Sequence, residues 1–291
     1  MSHPLHRPTL SDAGRDPTHA VTVVNEFGES VEASIPGELP LTVHLEDQEI
    51  VTLMTLGTRP EELALGYVRN QRLVDSIEDI ESVAVDWDSH SVTVSTRANR
   101  ALKDWREKLF KRIVTSGCGQ GTIFASTLEE LDNTRLVQPR LKQSELYQLI
   151  RAISQHNAVY RAAGAVHGCA LCRGEEMLIH VEDVGRHNAA DAISGHMWLE
   201  NLAGDDKIFY TTGRLTSEMV MKAAFMGIPV LLSRSGLTQM GLDLARQVGM
   251  TLIARAKGNH FNVYNGAENI DFDAKPPVRK SPAPTKGERD L

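Results

Sequence analysis

Apolar and polar positions alternate with a period of two in short stretches between residues 20 and 97, at 20–24, 41–45, 49–55, 82–85 and 91–96. Each predicts a half-buried β-strand. One helix is expected among them at 59–70, where Pro60 suits a first turn and Leu63, Leu65 and Val68 can share a buried side. A second helix is expected at 101–113. From residue 143 the period lengthens: Ser144 can cap a helix running to 160 with Leu146, Leu149, Ile150 and Ile153 inward. Strands then follow at 164–171, 177–181, 207–211, 230–233, 251–255 and 261–264, with helices at 188–202, 216–225 and 237–248. The pattern predicts an α/β protein, a mixed sheet with helices on both faces, plus a smaller β-rich N-terminal domain.

Composition adds boundaries. Residues 1–18 are polar and read as a disordered tail, 19–114 as the β-rich domain, 115–142 as a cysteine loop and linker, and 143–272 as the α/β domain. Residues 273–291 carry Pro276, Pro277, Pro282 and Pro284 among charges and read as a second disordered tail. The 291 residues carry a net charge of −7, which argues against a general nucleic-acid binder but leaves room for a local basic patch. No secretory signal and no membrane-spanning apolar run is visible. Three cysteines do not make a disulfide framework, so a reducing cytoplasm is expected.

Cys118 stands out among them, in the run Thr115-Ser116-Gly117-Cys118-Gly119-Gln120-Gly121-Thr122. Glycines on both sides let a bulky partner approach the sulfur, and converging N–H groups would favour thiolate; an incidental exposed cysteine has the same sequence. Glu182-Asp183-Val184-Gly185-Arg186-His187-Asn188 sits between a strand and a helix, at the sheet edge where α/β proteins bind ligands. Arg186 can grip phosphate or carboxylate and His187 can move a proton, or the run is a turn with Asn188 as helix cap. Thr212-Gly213-Arg214 and Ser233-Arg234-Ser235 end further strands, so one pocket for a large polar ligand is expected there. Arg255-Ala256-Lys257-Gly258-Asn259-His260 offers cations and a flexible glycine for phosphate, or is a solvated basic hairpin. His167, Cys169 and Cys172 suggest a metal set, but strand alternation puts His167 and Cys169 on one face and Cys172 on the other, and no permanent metal is predicted. A zinc deaminase would also need a glutamate where Cys169 stands.

Together these motifs resemble the formate dehydrogenase accessory sulfurtransferases, the FdhD family. The likeness spans roughly 20–266. It is carried by 115–121, by 164–167, by Asp183-Val184-Gly185-Arg186-His187-Asn188-Ala189, by Thr212-Gly213-Arg214 with Glu218 and Lys222, by 227–230 and by Phe261-Asn262-Val263-Tyr264. The resemblance implies a cytidine-deaminase-like α/β domain and a homodimer. It also implies a sulfur carrier that takes sulfane sulfur from a cysteine desulfurase as a persulfide on Cys118. The carrier would pass it to the molybdenum cofactor, bis-molybdopterin guanine dinucleotide, bound transiently before insertion into the formate dehydrogenase catalytic subunit. Residues 255–260 fall on the family's guanine-nucleotide segment, and Arg186, His187, His167 and Arg214 would line the same site. The family's second loop cysteine is Gly121 here, so Cys118 carries the sulfur alone unless Cys169 or Cys172 substitutes as its partner. The alternative is a cofactor-binding chaperone without covalent sulfur transfer.

Overall fold

The computed structural model describes residues 7–97, 131 and 133–275. The expected helix at 101–113, the Cys118 loop and the proline-rich stretch from 276 onward lie outside the described residues.

The N-terminal unit is built on a five-stranded sheet in the order β1-β6-β7-β4-β5. Its strands are β1 (Thr9–Leu10), β4 (Leu39–Leu45), β5 (Gln48–Thr55), β6 (Ile80–Asp86) and β7 (Ser91–Thr96). Leu41, Val43, Leu45, Val92 and Val94 point to one buried face, as the alternation requires. β2 (Thr18–Val24) and β3 (Ser30–Pro36) form a separate antiparallel ribbon. Helix α1 (Pro60–Asn70) opens with Pro60 and carries Glu61 and Glu62 in its first turn, which suits the positive end of the helix dipole.

The α/β unit is a six-stranded mixed sheet in the order β10-β9-β11-β12-β13-β14. These strands are β9 (His167–Arg173), β10 (Glu176–Asp183), β11 (Ile208–Thr211), β12 (Val230–Ser233), β13 (Thr251–Lys257) and β14 (His260–Asn265). β11, β12 and β13 run parallel, while β9 is antiparallel to both β10 and β11. Every residue of β11 and β12 is buried, because helices cover both faces. Helix α2 (Gln143–Gln155) packs Leu146, Leu149, Ile150 and Ile153 on one face. Helices α4 (Arg186–Leu199), α5 (Ser217–Phe225) and α6 (Gln239–Val248) lie on the other, whose core is continuous with that of the N-terminal sheet and α1. A parallel pair, β8 (Leu141–Lys142) with β15 (Ile270–Asp271), closes the unit. Among the described residues no helix is long and apolar enough to cross a membrane.

Several boundaries depart from the sequence reading. Residues 7–18, expected to be disordered, supply β1 and are pinned to the sheet: Ser11 Oγ and Ala13 N donate to Glu61 at 2.6 and 2.8 Å, and Trp87 Nε1 donates to Ala13 O at 2.7 Å. Residue 273, placed in the tail, accepts from Ser144 N and Oγ at 2.9 and 2.6 Å. The long helix expected at 144–160 stops at Gln155, and α3 (Ala158–Ala163) begins after Asn157. The cause is Glu182 at the end of β10, whose carboxylate accepts from Val159 N and Tyr160 N at 2.9 Å each and so stabilises a fresh helix start.

Candidate functional site

The strand directions bring the chemistry-bearing loops to one edge. The carboxyl ends of β10, β11, β12 and β13 and the start of β9 meet there, with Asp183 opposite His167 and Thr211 opposite both Cys169 and Ser233. Backbone bonds lace the loops in series: Thr212 N donates to Gly168 O, Arg234 N to Thr211 O, Leu215 N to Gly236 O and Arg255 N to Ser235 O. Side chains reinforce the lacing, since Ser233 Oγ donates to Gly213 O at 2.6 Å and Thr212 Oγ1 accepts from Gly168 N at 3.0 Å. Gly213 lets the Arg186 stem pack closely over it, because a Cβ there would lie 2.6 Å from Cδ of Arg186.

Arg186, Arg214, Arg234 and Arg255 therefore stand along one edge, joined by Lys257 on the last hairpin. None of them has an acidic partner within ion-pair distance among the described residues. Arg255 adopts a φ of 56° at a bulge between β13 and β14, a left-handed conformation that a bulky residue rarely takes, and its guanidinium lies against Gly236. Arg186 Nε and Thr216 Oγ1 are buried with no hydrogen-bond partner among the described residues. Burial, with Arg186 and Arg214 nearby, pushes the His167 pKa down, so its ring is held neutral against the cationic edge.

The Asp183-to-Asn188 run divides into structural and chemical halves. Asp183 is buried and accepts from Thr55 Oγ1 at 2.6 Å, Leu56 N at 3.1 Å, Gly185 N at 3.0 Å and Asn188 Nδ2 at 2.8 Å. Asn188 also donates to Met54 O at 2.6 Å. This clamp joins the end of β5 to the loop carrying Arg186 and His187, so Asn188 braces the two units rather than capping α4. Burial raises the Asp183 pKa, and the four donors oppose that rise.

Behind the edge a buried polar chain runs between helices. His187 Nδ1 approaches Glu218 Oε1 at 3.3 Å, Glu218 lies 3.8 Å from Lys222 Nζ, and Lys222 pairs with Asp191, whose side chain is 0% exposed. Asn70 of α1 donates to Asp191 at 2.7 Å and accepts from Ser194 Oγ at 3.0 Å. Asp191 was not singled out in the sequence. The available signal was an acid in the apolar start of α4 and a lysine in the apolar middle of α5, each needing a buried counter-charge.

Residues 255–260 do not converge. Ala256 is 1% exposed and packs into the core under α2, and Asn259 accepts from Arg151 at 2.6 and 3.0 Å. Arg255, Lys257 and Gly258 remain exposed, and His260 pairs across the hairpin with Lys257. Cys169 and Cys172 are both fully buried and belong to the cores on opposite faces of the sheet. Burial pushes each thiol up to about 12. Both sit in the core as thiols, and Cys118 lies outside the described residues. Among the described residues no group of three His, Cys, Asp or Glu side chains could hold a metal ion.

A model of the FdhD/NarQ family matches residues 36–271. The sulfur carrier protein FdhD of Listeria innocua is 30% identical over 246 residues, covering 83% of this chain and 93% of the relative. That of Bacillus subtilis is 30% identical over 243 residues, covering 82% of this chain and 91% of the relative. A crystal structure of a formate dehydrogenase accessory protein from Desulfotalea psychrophila superposes with a TM-score of 0.69 at 28% identity, covering 87% of this chain and 98% of that one.

Proposed function

The chain belongs to the FdhD/NarQ family, and from that premise we propose that it is a sulfurtransferase that carries sulfur as a Cys118 persulfide to the molybdenum cofactor of formate dehydrogenase. The observation that carries this reading is the edge of cations without an acidic partner among the described residues, in a protein of net charge −7. A dinucleotide with two phosphate groups per arm is a polyanion, and Arg186, Arg214, Arg234, Arg255 and Lys257 match it in charge. The cofactor is cargo in this reading, held at the strand ends by arginine forks and loop N–H groups.

Loading requires only thiol chemistry. The Cys118 thiolate attacks the outer sulfur of a persulfide on a cysteine desulfurase; a new S–S bond forms at Cys118, the donor's S–S bond breaks, and the donor leaves as a thiolate. With Cys169 and Cys172 buried and protonated, a single thiol does this work. A cytoplasmic, thiol-reduced setting and a homodimer complete the proposal.

Complementation tests it. In a strain lacking this protein, wild type restores formate dehydrogenase activity and Cys118→Ala does not. Full restoration by Cys118→Ala would leave a cofactor-binding chaperone as the better reading. Dimerisation is checked by light scattering of the full chain.

A further inference from the structure

The ribbon of β2 and β3 plays no part in the cationic edge. Among the described residues the two strands pair only with each other, in an unbroken register from Thr18 opposite Pro36 to Val24 opposite Ser30. Cross-strand partners share a face, so His19, Val21 and Val23 lie with Ile35, Ala33 and Val31 on one side, which carries no acid, lysine or arginine. Ile35 is 47% exposed there, Val23 and Val31 are exposed beside it, and Phe27 at the tip is 77% exposed. The tip is held in place: Asn25 Oδ1 accepts from Phe27 N and Glu29 N at 3.0 Å each, and Asn25 Nδ2 donates to Glu29 at 3.0 Å. At the base, Gly37 N donates to Pro17 O at 2.8 Å. A two-stranded ribbon whose apolar face is left open is marginal in water, so a lasting cover is required.

The two outer edges of the ribbon differ. Helix α3 packs beside β3, which carries Glu32 and ends in Pro36. β2 reads Thr18-His19-Ala20-Val21-Thr22-Val23-Val24, with no acid, lysine, arginine, proline or bulge, the devices that keep edge strands from pairing. We propose that the outer edge of β2 pairs antiparallel with β2 of a second copy of this chain, about a two-fold axis at Val21, and joins the two ribbons into one four-stranded sheet. The axis sets His19, Val21 and Val23 of one copy opposite Val23, Val21 and His19 of the other, and Thr18 and Ala20 opposite Val24 and Thr22. No like charges meet, because the strand carries no acid, lysine or arginine and Glu32 stays one strand away on either side. The apolar faces of the two ribbons become one, and each Phe27 tip reaches the base of the other ribbon. A second copy gives the lasting cover that a passing partner does not. The proposal rests on the homodimer in the function above and adds where the copies meet; it does not depend on Cys118.

Light scattering and hydrogen exchange on the full chain test it. Wild type should be a dimer at about 100 μM, and the alternate β2 amides on the outer edge should exchange roughly 10²-fold or more slowly than after dilution to monomer. Val21→Lys sets two ammonium groups opposite each other at the axis. It should give a monomer with unchanged far-UV circular dichroism, in which the same amides exchange fast. A dimer whose outer β2 amides exchange fast has its interface elsewhere, and slow exchange in a monomer means that another segment of the chain covers the edge. Either result overturns the proposal, as does a monomeric wild type or a dimeric Val21→Lys. If Val21→Lys does not fold, exchange in wild type still decides. Sulfur loading at Cys118 is read separately by mass spectrometry, so failure of the carrier reading and failure of this interface are told apart.

Discussion

At the scale of single residues, burial sorts the titratable groups into those that can react and those that cannot. Cys169 and Cys172 behave as small core hydrophobes, so Cys169→Ala and Cys172→Ala should each cost roughly 1 kcal/mol of stability and leave sulfur loading at wild-type level; loss of loading in either would contradict this. His187 is neutral in the fold with its pKa down at about 2, whereas the unfolded chain titrates it near 6.5. Below 6.5 the unfolded state binds the extra proton, so the contribution is complete above 6.5 and is lost as pH falls towards 2. Urea unfolding should show a slope of up to about 1.4 kcal/mol per pH unit from this group. His187→Asn should reduce it, with His167 and His180, also lowered, supplying the remainder. An unchanged slope in His187→Asn would contradict the assignment. Arg186 and His187 could be singled out from sequence because they are polar residues at a strand end. Glu218 and Lys222 were visible only as part of the family resemblance and Asp191 not at all, since their pairing depends on which turns of α4 and α5 face each other.

At the scale of elements, α1 and α4 cross at two glycines. A Cβ on Gly66 would sit 1.6 Å from Asp191 O, and one on Gly195 would sit 1.9 Å from Glu62 O. Both neighbours are helix backbone and cannot yield, so Gly66→Ala should cost about 3 kcal/mol or more, at the upper end for overpacking. A urea midpoint within 1 kcal/mol of wild type, on the usual extrapolation, would mean that the helices can separate. The clamp at Asp183 is tested by Thr55→Val, which removes a donor 2.6 Å from a buried carboxylate and should cost about 1–3 kcal/mol. Most of the strands were legible from alternation or from short apolar runs, and β7 and β12 match at both ends. What alternation missed was decided at a distance. β1 is two residues long and exists because β6 accepts it, and α3 exists because Glu182, more than 20 residues further on, caps its first N–H groups.

At the scale of the whole molecule, the two units share one core, and the clamp fixes the cationic loop of one against the sheet of the other. The sequence pattern suggested a junction between separate domains, because periodicity reports local faces and says nothing of which faces meet. The site edge was legible for the same reason that the α/β fold was: polar residues after successive strands must gather at one end of a parallel sheet. The net charge did not reveal it, since a total of −7 says nothing of where the individual charges lie. That a single thiol, Cys118, carries the sulfur is tested by peptide-resolved mass spectrometry after incubation with a cysteine desulfurase and cysteine. The predicted result is one added sulfur on the peptide containing Cys118 and none on that containing Cys169 and Cys172. An unmodified Cys118, or sulfur on the buried pair alone, would contradict it.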